Sequence, residues 1–153
     1  MIQMFKGIAR SFSYAFQGLF CTIREERNFR IHLVAVCFVT ILSILYKVTE
    51  GQAVMLTVTC CSVLSLELIN TAVEKAVDLA TSQRCDGAKK AKDASATAVL
   101  VSAVSAVFVA IFIFRDPAHW AFVFENIKTP AGLVLSILFV ILSLFFVRGR
   151  PRS

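Results

Sequence analysis

Residues 66–80 read LELINTAVEKAVDLA, and this stretch decides the fold. Glu67, Asn70, Glu74 and Asp78 recur in it at steps of three, four and four. At about 100° per residue of α-helix, these four side chains share one stripe about 80° wide. The remaining faces are mainly Leu, Ile, Val and Ala, with Lys75 as the charged exception. The stripe closes an apolar run that begins at Ala53. Three further runs, roughly Ile31–Tyr46, Ala94–Phe114 and Ala131–Val147, lie before and after it. A helix needs about 20 residues to cross a bilayer, with about 17 as the lower limit. The second and third runs meet this requirement, and the first and last lie near the limit, with some tilt or local thinning.

Composition agrees. Of 153 residues, 58% are hydrophobic and 17% charged, against roughly 45–50% and about 25% in ordinary globular domains. This excludes a disordered chain, a collagen-like chain and a disulfide-rich secreted module. The net charge of +6 could mean nucleic acid, a membrane surface or membrane topology. The placement of the charges decides for topology. Thirteen of the sixteen Lys and Arg residues lie in 1–30, 75–93 and 148–153, and three in the alternate segments. The positive-inside rule then puts both termini and the 75–93 loop in the cytoplasm, and no nucleic-acid partner is expected.

The expected fold is an all-α integral membrane protein. An interfacial amphipathic helix spans 4–24, because Phe5, Ile8, Phe12, Phe16, Leu19 and Ile23 repeat at steps of three and four. Membrane spans follow at about 31–47, 53–74 and 94–114. A loop from 116 then leads to a fourth, C-terminal span at about 130–147. The residues before Ile31 do not read as a signal peptide. The five cysteines have no metal or CxxC spacing, and Cys37, Cys60 and Cys61 are expected as small buried hydrophobes.

Depth makes the acidic stripe a candidate site. Glu67 lies 14 residues beyond Ala53, which at about 1.5 Å per residue is about 21 Å into a core about 30 Å thick. Glu74 and Asp78 then reach the cytoplasmic surface. A carboxylate at the depth of Glu67 costs several kcal/mol unless it is paired or protonated, so an intramembrane acid marks function by default. Two polar clusters enter the membrane at the level of Glu74: residues 24–32 (REERNFRIH) and residues 89–93 (KKAKD). Converging carboxylates can hold a hard divalent ion, and nearby Lys and Arg can neutralise phosphate. That is the inventory of metal-dependent phosphoryl transfer. No GxxxxGK[ST] or Gly-rich loop is present, so a nucleotide would bind without a P-loop.

These residues resemble the prokaryotic diacylglycerol kinase and undecaprenol kinase family of small membrane lipid kinases. The resemblance rests on Glu26-Arg27-Asn28-Phe29-Arg30, on Glu67 through Glu74 continuing to Asp78, and on Ala91-Lys92-Asp93. It covers roughly residues 5–115, making 1–115 the kinase domain, with residues 116–153 as an addition. It implies a homotrimer with active sites shared between protomers, in the bacterial inner membrane. It implies Glu67 as general base toward a lipid hydroxyl, and Glu26 and Glu74 as ligands of Mg²⁺ on ATP. Tyr14, Glu26, Glu74, Lys92 and Asp93 match nucleotide contacts. So does the loop Gln83-Arg84-Cys85, where the family often has Glu-Tyr-His. Asn28, Arg30 and Ala96 fall near the lipid substrate, and Asn70 and Asp78 line the site. His32 and the INTAVE form look like the undecaprenol kinases, with diacylglycerol as the alternative acceptor. A proton- or ion-coupled transporter is the distant rival. It would be expected to break its helices at the site, yet residues 52–86 hold neither Gly nor Pro.

Overall fold

The structure is a computed structural model that describes residues 2–81 and 85–149, with side chains from residue 7 onward. The described residues form α1 (Ile2–Glu25), α2 (Arg27–Tyr46), α3 (Glu50–Ala80), α4 (Asp86–Ile113), α5 (Pro117–Lys128) and α6 (Pro130–Arg148). Helices α2, α3, α4 and α6 are long and apolar enough to cross a membrane. The chain is an all-α integral membrane protein.

Few side chains are buried against protein. Phe29, Tyr46, Leu56, Val63, Val99, Ile113 and Val123 form the apolar interior, while rows of Leu, Ile, Val and Phe on all four long helices are exposed. In lipid that pattern is favourable, because hydrocarbon meets hydrocarbon and each helix satisfies its own backbone. Helix α1 exposes Ile8, Phe12, Phe16 and Phe20, as an interfacial helix does. The cysteines differ from expectation: all are free, Cys37 and Cys61 are exposed and Cys60 is only half-buried. Cys60 and Cys61 line an open groove between α2 and α3.

The helices are longer than the apolar runs. Helix α3 has 31 residues and α4 has 28, or about 46 and 42 Å at about 1.5 Å per residue, against a hydrocarbon core of about 30 Å. The two pack together along most of their length. Their excess carries the polar segments around Glu74, Asp78 and Lys92 out of the membrane as one antiparallel stalk.

At the opposite end, α2 turns sharply into α3. Lys47 takes φ 57°, and its N–H and that of Val48 close onto Ile44 and Ser43. Thr49 and Gln52 then form a reciprocal capping box on α3. The segment after residue 116, expected as a loop, is the helix α5. Asp116 caps it by accepting from the Ala118 N–H at 3.0 Å, and Pro117 occupies its first turn. Thr129 ends α5 and caps α6, and this corner is so close that a Cβ on Gly132 would lie 2.1 Å from the Asn126 carbonyl oxygen.

Tyr46 anchors α5 to the bundle. Its hydroxyl accepts from the Asp116 N–H at 2.8 Å and donates to the Asp116 carbonyl at 2.9 Å. Its ring stacks on His119 and meets Phe114 and Trp120 edge-on. Tyr46→Phe leaves both Asp116 backbone groups short of a partner. It is expected to cost about 1–3 kcal/mol, read as a lowered thermal midpoint in detergent. An unchanged midpoint would show that the hydroxyl does not hold α5 in place.

Candidate active site

The stripe expected on α3 is present as a helix face with graded burial. Glu67 is 4% exposed and Asn70 6%. Glu74 is half-buried and Asp78 exposed. The gradient is one of protein packing, close around Glu67 and Asn70 and open at Asp78.

Hydrogen bonds knit this face to α4. Asn70 Nδ2 donates to Glu74 Oε1 at 3.0 Å. Ser95 Oγ stands 2.7 Å from Asn70 Oδ1 and 2.9 Å from the Lys92 carbonyl oxygen, so its single proton serves one of them at a time. Lys92 Nζ donates to Asp78 Oδ1 at 2.5 Å. Both faces of the Asn70 amide are thereby used, and Glu74 is aimed by a neutral donor instead of being neutralised by a cation. Glu67 has no hydrogen-bond donor among the described residues.

Glu26 approaches from another direction. It is the one residue between α1 and α2, with extended backbone at φ −101° and ψ 114°. Glu67 and Glu74 share one face of α3, while Glu26 stands at the α1–α2 corner. Neighbouring Glu25 accepts from Lys75 Nζ at 2.5 Å and from Cys21 Sγ at 3.2 Å, which ties α1 to α3. The bond to Glu25 pushes the exposed Cys21 thiol above its ordinary pKa.

No group of three or more His, Cys, Asp or Glu side chains is close enough to hold a metal ion among the described residues. Glu26 and Glu74 are oxygen donors of the type that hard divalent ions take. Mg²⁺ is usually held by one or two carboxylates together with substrate phosphates and water, not by an all-protein cage.

Several expected residues stand apart in the single chain. Tyr14, Asn28, Asp93 and Ala96 are exposed, and no side-chain hydrogen bond joins them to the stripe among the described residues. Cys85, at the start of α4, is exposed. Gln83 and Arg84 lie outside the described residues. Arg30 is buried, and its Nη1 donates to the carbonyls of Ile23 and Arg24 at 3.0 Å each. This guanidinium thus serves the C-terminus of α1. Sequence reasoning missed Ser95, although it lies three residues after Lys92 and so on the same helix face. It also missed the Glu25–Lys75 link, because Lys75 reads as an interruption of the apolar face.

Comparisons with known proteins identify the family. Residues 13–114 match the family described as prokaryotic diacylglycerol kinase. The undecaprenol kinase of Bacillus subtilis (strain 168) is 40% identical over 105 residues, covering 69% of this chain and 85% of the relative. A diacylglycerol kinase of Synechocystis is 42% identical over 109 residues; the match spans 70% of this chain and 62% of that protein's length. A diacylglycerol kinase of Helicobacter pylori (strain J99) is 30% identical over 105 residues, covering 69% of this chain and 82% of the relative. The family match ends at residue 114, so α5 and α6 lie beyond it. With Glu67, Asn70, Glu74 and Ser95 gathered inside the matched region, the chain belongs to the prokaryotic diacylglycerol kinase family of membrane lipid kinases.

Proposed function

We propose that this protein transfers the γ-phosphoryl group of ATP to the hydroxyl of a membrane lipid alcohol, with undecaprenol as the acceptor. The observation that carries the proposal is the buried Glu67, without a hydrogen-bond donor among the described residues, on the same face of α3 as Glu74. An acid so placed accepts a proton readily and has no structural partner to satisfy.

In this reading Glu67 takes the proton from the lipid hydroxyl. The lipid oxygen forms a bond to the γ-phosphorus as the bond to the β–γ bridging oxygen breaks, and ADP leaves. Glu26 and Glu74 would hold Mg²⁺, whose chemistry when bound is to neutralise triphosphate charge. Asn70, backed by Ser95, keeps Glu74 pointed at that position. Lys92, Asp93, Tyr14 and the loop 83–85 serve the nucleotide. Tyr14 and Asp93 are exposed, as residues completing a site with a second copy of the chain would be, which supports a homotrimer. The basic segments 1–30, 75–93 and 148–153 support cytoplasmic termini in the bacterial inner membrane.

Undecaprenol is favoured by His32, by the INTAVE form and by the 40% identity to an undecaprenol kinase. Diacylglycerol is the second reading, favoured by the 42% identity to a diacylglycerol kinase. A panel of polyprenols and diacylglycerols, offered with ATP or GTP and Mg²⁺, separates the two. The expected result is Mg²⁺-dependent transfer from ATP, fastest to the polyprenol. Transfer to no lipid alcohol would overturn the proposal.

Two substitutions test the roles. Glu67→Gln keeps the size and removes the base, and it is expected to lower turnover about 100-fold or more. Near-normal turnover would sink the base assignment. Asn70→Ala frees Glu74, and it is expected to raise the Mg²⁺ concentration for half-maximal rate about tenfold, the scale of losing a partner that orients a metal ligand. An unchanged Mg²⁺ requirement would remove Glu74 from the metal site.

A further inference from the structure

Arg30 raises a question that the proposed reaction leaves open. It is 8% exposed, and it has no carboxylate partner among the described residues. A buried guanidinium needs compensating negative charge or dipoles. Part of the compensation is the C-terminus of α1, whose Ile23 and Arg24 carbonyls accept from Nη1. Helix C-termini carry partial negative charge and favour cations. Its Nε is buried and finds no acceptor.

The other side of Arg30 is closed by α6. Gly149 ends α6 with φ 55° and ψ 169°, its N–H bonded to the Phe145 carbonyl. A Cβ on Gly149 would stand 2.5 Å from Arg30 Nη2 and 2.9 Å from Arg30 Cζ. The positive φ calls for glycine here, and a methyl would have to push the guanidinium aside. Two helix C-termini, of α1 and α6, therefore converge on one buried arginine of α2. Helix α6 lies beyond the region matched to the family, and it packs on α2.

The geometry has a consequence for Glu26. That residue is the whole connection between α1 and α2, and Arg30 spans it, one helical turn away, to reach the last turn of α1. The angle between the two helices, and with it the direction of the Glu26 side chain, depends on where the guanidinium sits. We propose that the C-terminal end of the fourth span is a clamp on the α1–α2 corner, with Gly149 and Arg30 as positioning residues for Glu26. The role given to Glu26 rests on the proposed function; the clamp itself does not.

Gly149→Ala in the full chain adds one methyl against Arg30, and Arg30→Lys replaces the planar guanidinium that bonds the Ile23 and Arg24 carbonyls and packs on Gly149 with a point charge. Two measurements read the result. Hydrogen exchange of the amides of residues 24–30 is expected to quicken in both variants, without any reference to activity. The Mg²⁺ concentration for half-maximal rate is expected to rise about tenfold in both, with KM for the lipid alcohol unchanged. Unchanged exchange in both variants would overturn the clamp. Quickened exchange with an unchanged Mg²⁺ requirement would overturn its link to Glu26. A raised lipid KM in Arg30→Lys, with the Mg²⁺ requirement unmoved, would make Arg30 a substrate contact instead. If wild-type protein moves no phosphate to any lipid, the proposed function fails while the exchange data still decide the clamp.

Discussion

Everything polar in this molecule is arranged around the cost of keeping a carboxylate out of water. Glu67 sits within an apolar helix, buried against α4 and remote from bulk solvent. Ionised and alone it would be strongly disfavoured. A soluble fold would solve this by pairing it with Lys or Arg. Here no cation bonds to Glu67 among the described residues, and Glu74 shares its face of α3. Such a cluster is tolerable when protons and cations come and go, and it is a poor choice for a purely structural contact. Lys75 and Lys92 are engaged with Glu25 and Asp78, so these two cations brace the stalk.

The long α3–α4 pair turns this constraint into geometry. Two helices that outrun the bilayer carry one continuous face from hydrocarbon into water. Side-chain hydrogen bonds from Asn70, Ser95 and Lys92 cross or brace their contact where it emerges. Each of these bonds lies at or above Asn70, and none reaches Glu67. The polar network thus fixes the upper part of the face and leaves its deepest acid unbonded. On the far side of the membrane, the Tyr46 cluster and the shared Thr129 cap fix α5 and α6 by a separate set of contacts.

How much of this was legible in the sequence follows from which forces are local. The spans and the stripe at 67, 70, 74 and 78 could be read because hydropathy and the 3.6-residue period act within one helix. The basic asymmetry could be read because it too is a property of segments. The helix at 117–128 was passed over as a loop, since its stability comes from Asp116, Pro117 and the docking of Trp120 and His119 on Tyr46, seventy residues or more away in the chain. The engagement of Arg30 by α1 was invisible for the same reason: an arginine beside Glu26 reads as a surface charge until its chain direction is known. Cys37 and Cys61 were expected in a core because a membrane helix, unlike a soluble one, gives no sequence signal separating its lipid face from its protein face.

The spacing along α3 also constrains what can react there. Glu67 and Glu74 are seven residues apart on one face, which is about 10 Å along the axis at about 1.5 Å per residue. A single substrate dissolved in water could reach Glu74 but would have to strip its hydration to reach Glu67. A single substrate dissolved in lipid could reach Glu67 but would bring nothing for the carboxylates at the surface. Two reactants that meet at the boundary fit both. One is an amphiphile whose hydroxyl hangs just below the phosphate layer, and the other a water-borne polyanion needing a cation to approach an acidic site. In the proposed reaction the helix pitch sets the vertical offset between them, and burial of the lower acid selects the reactant that gives up the proton.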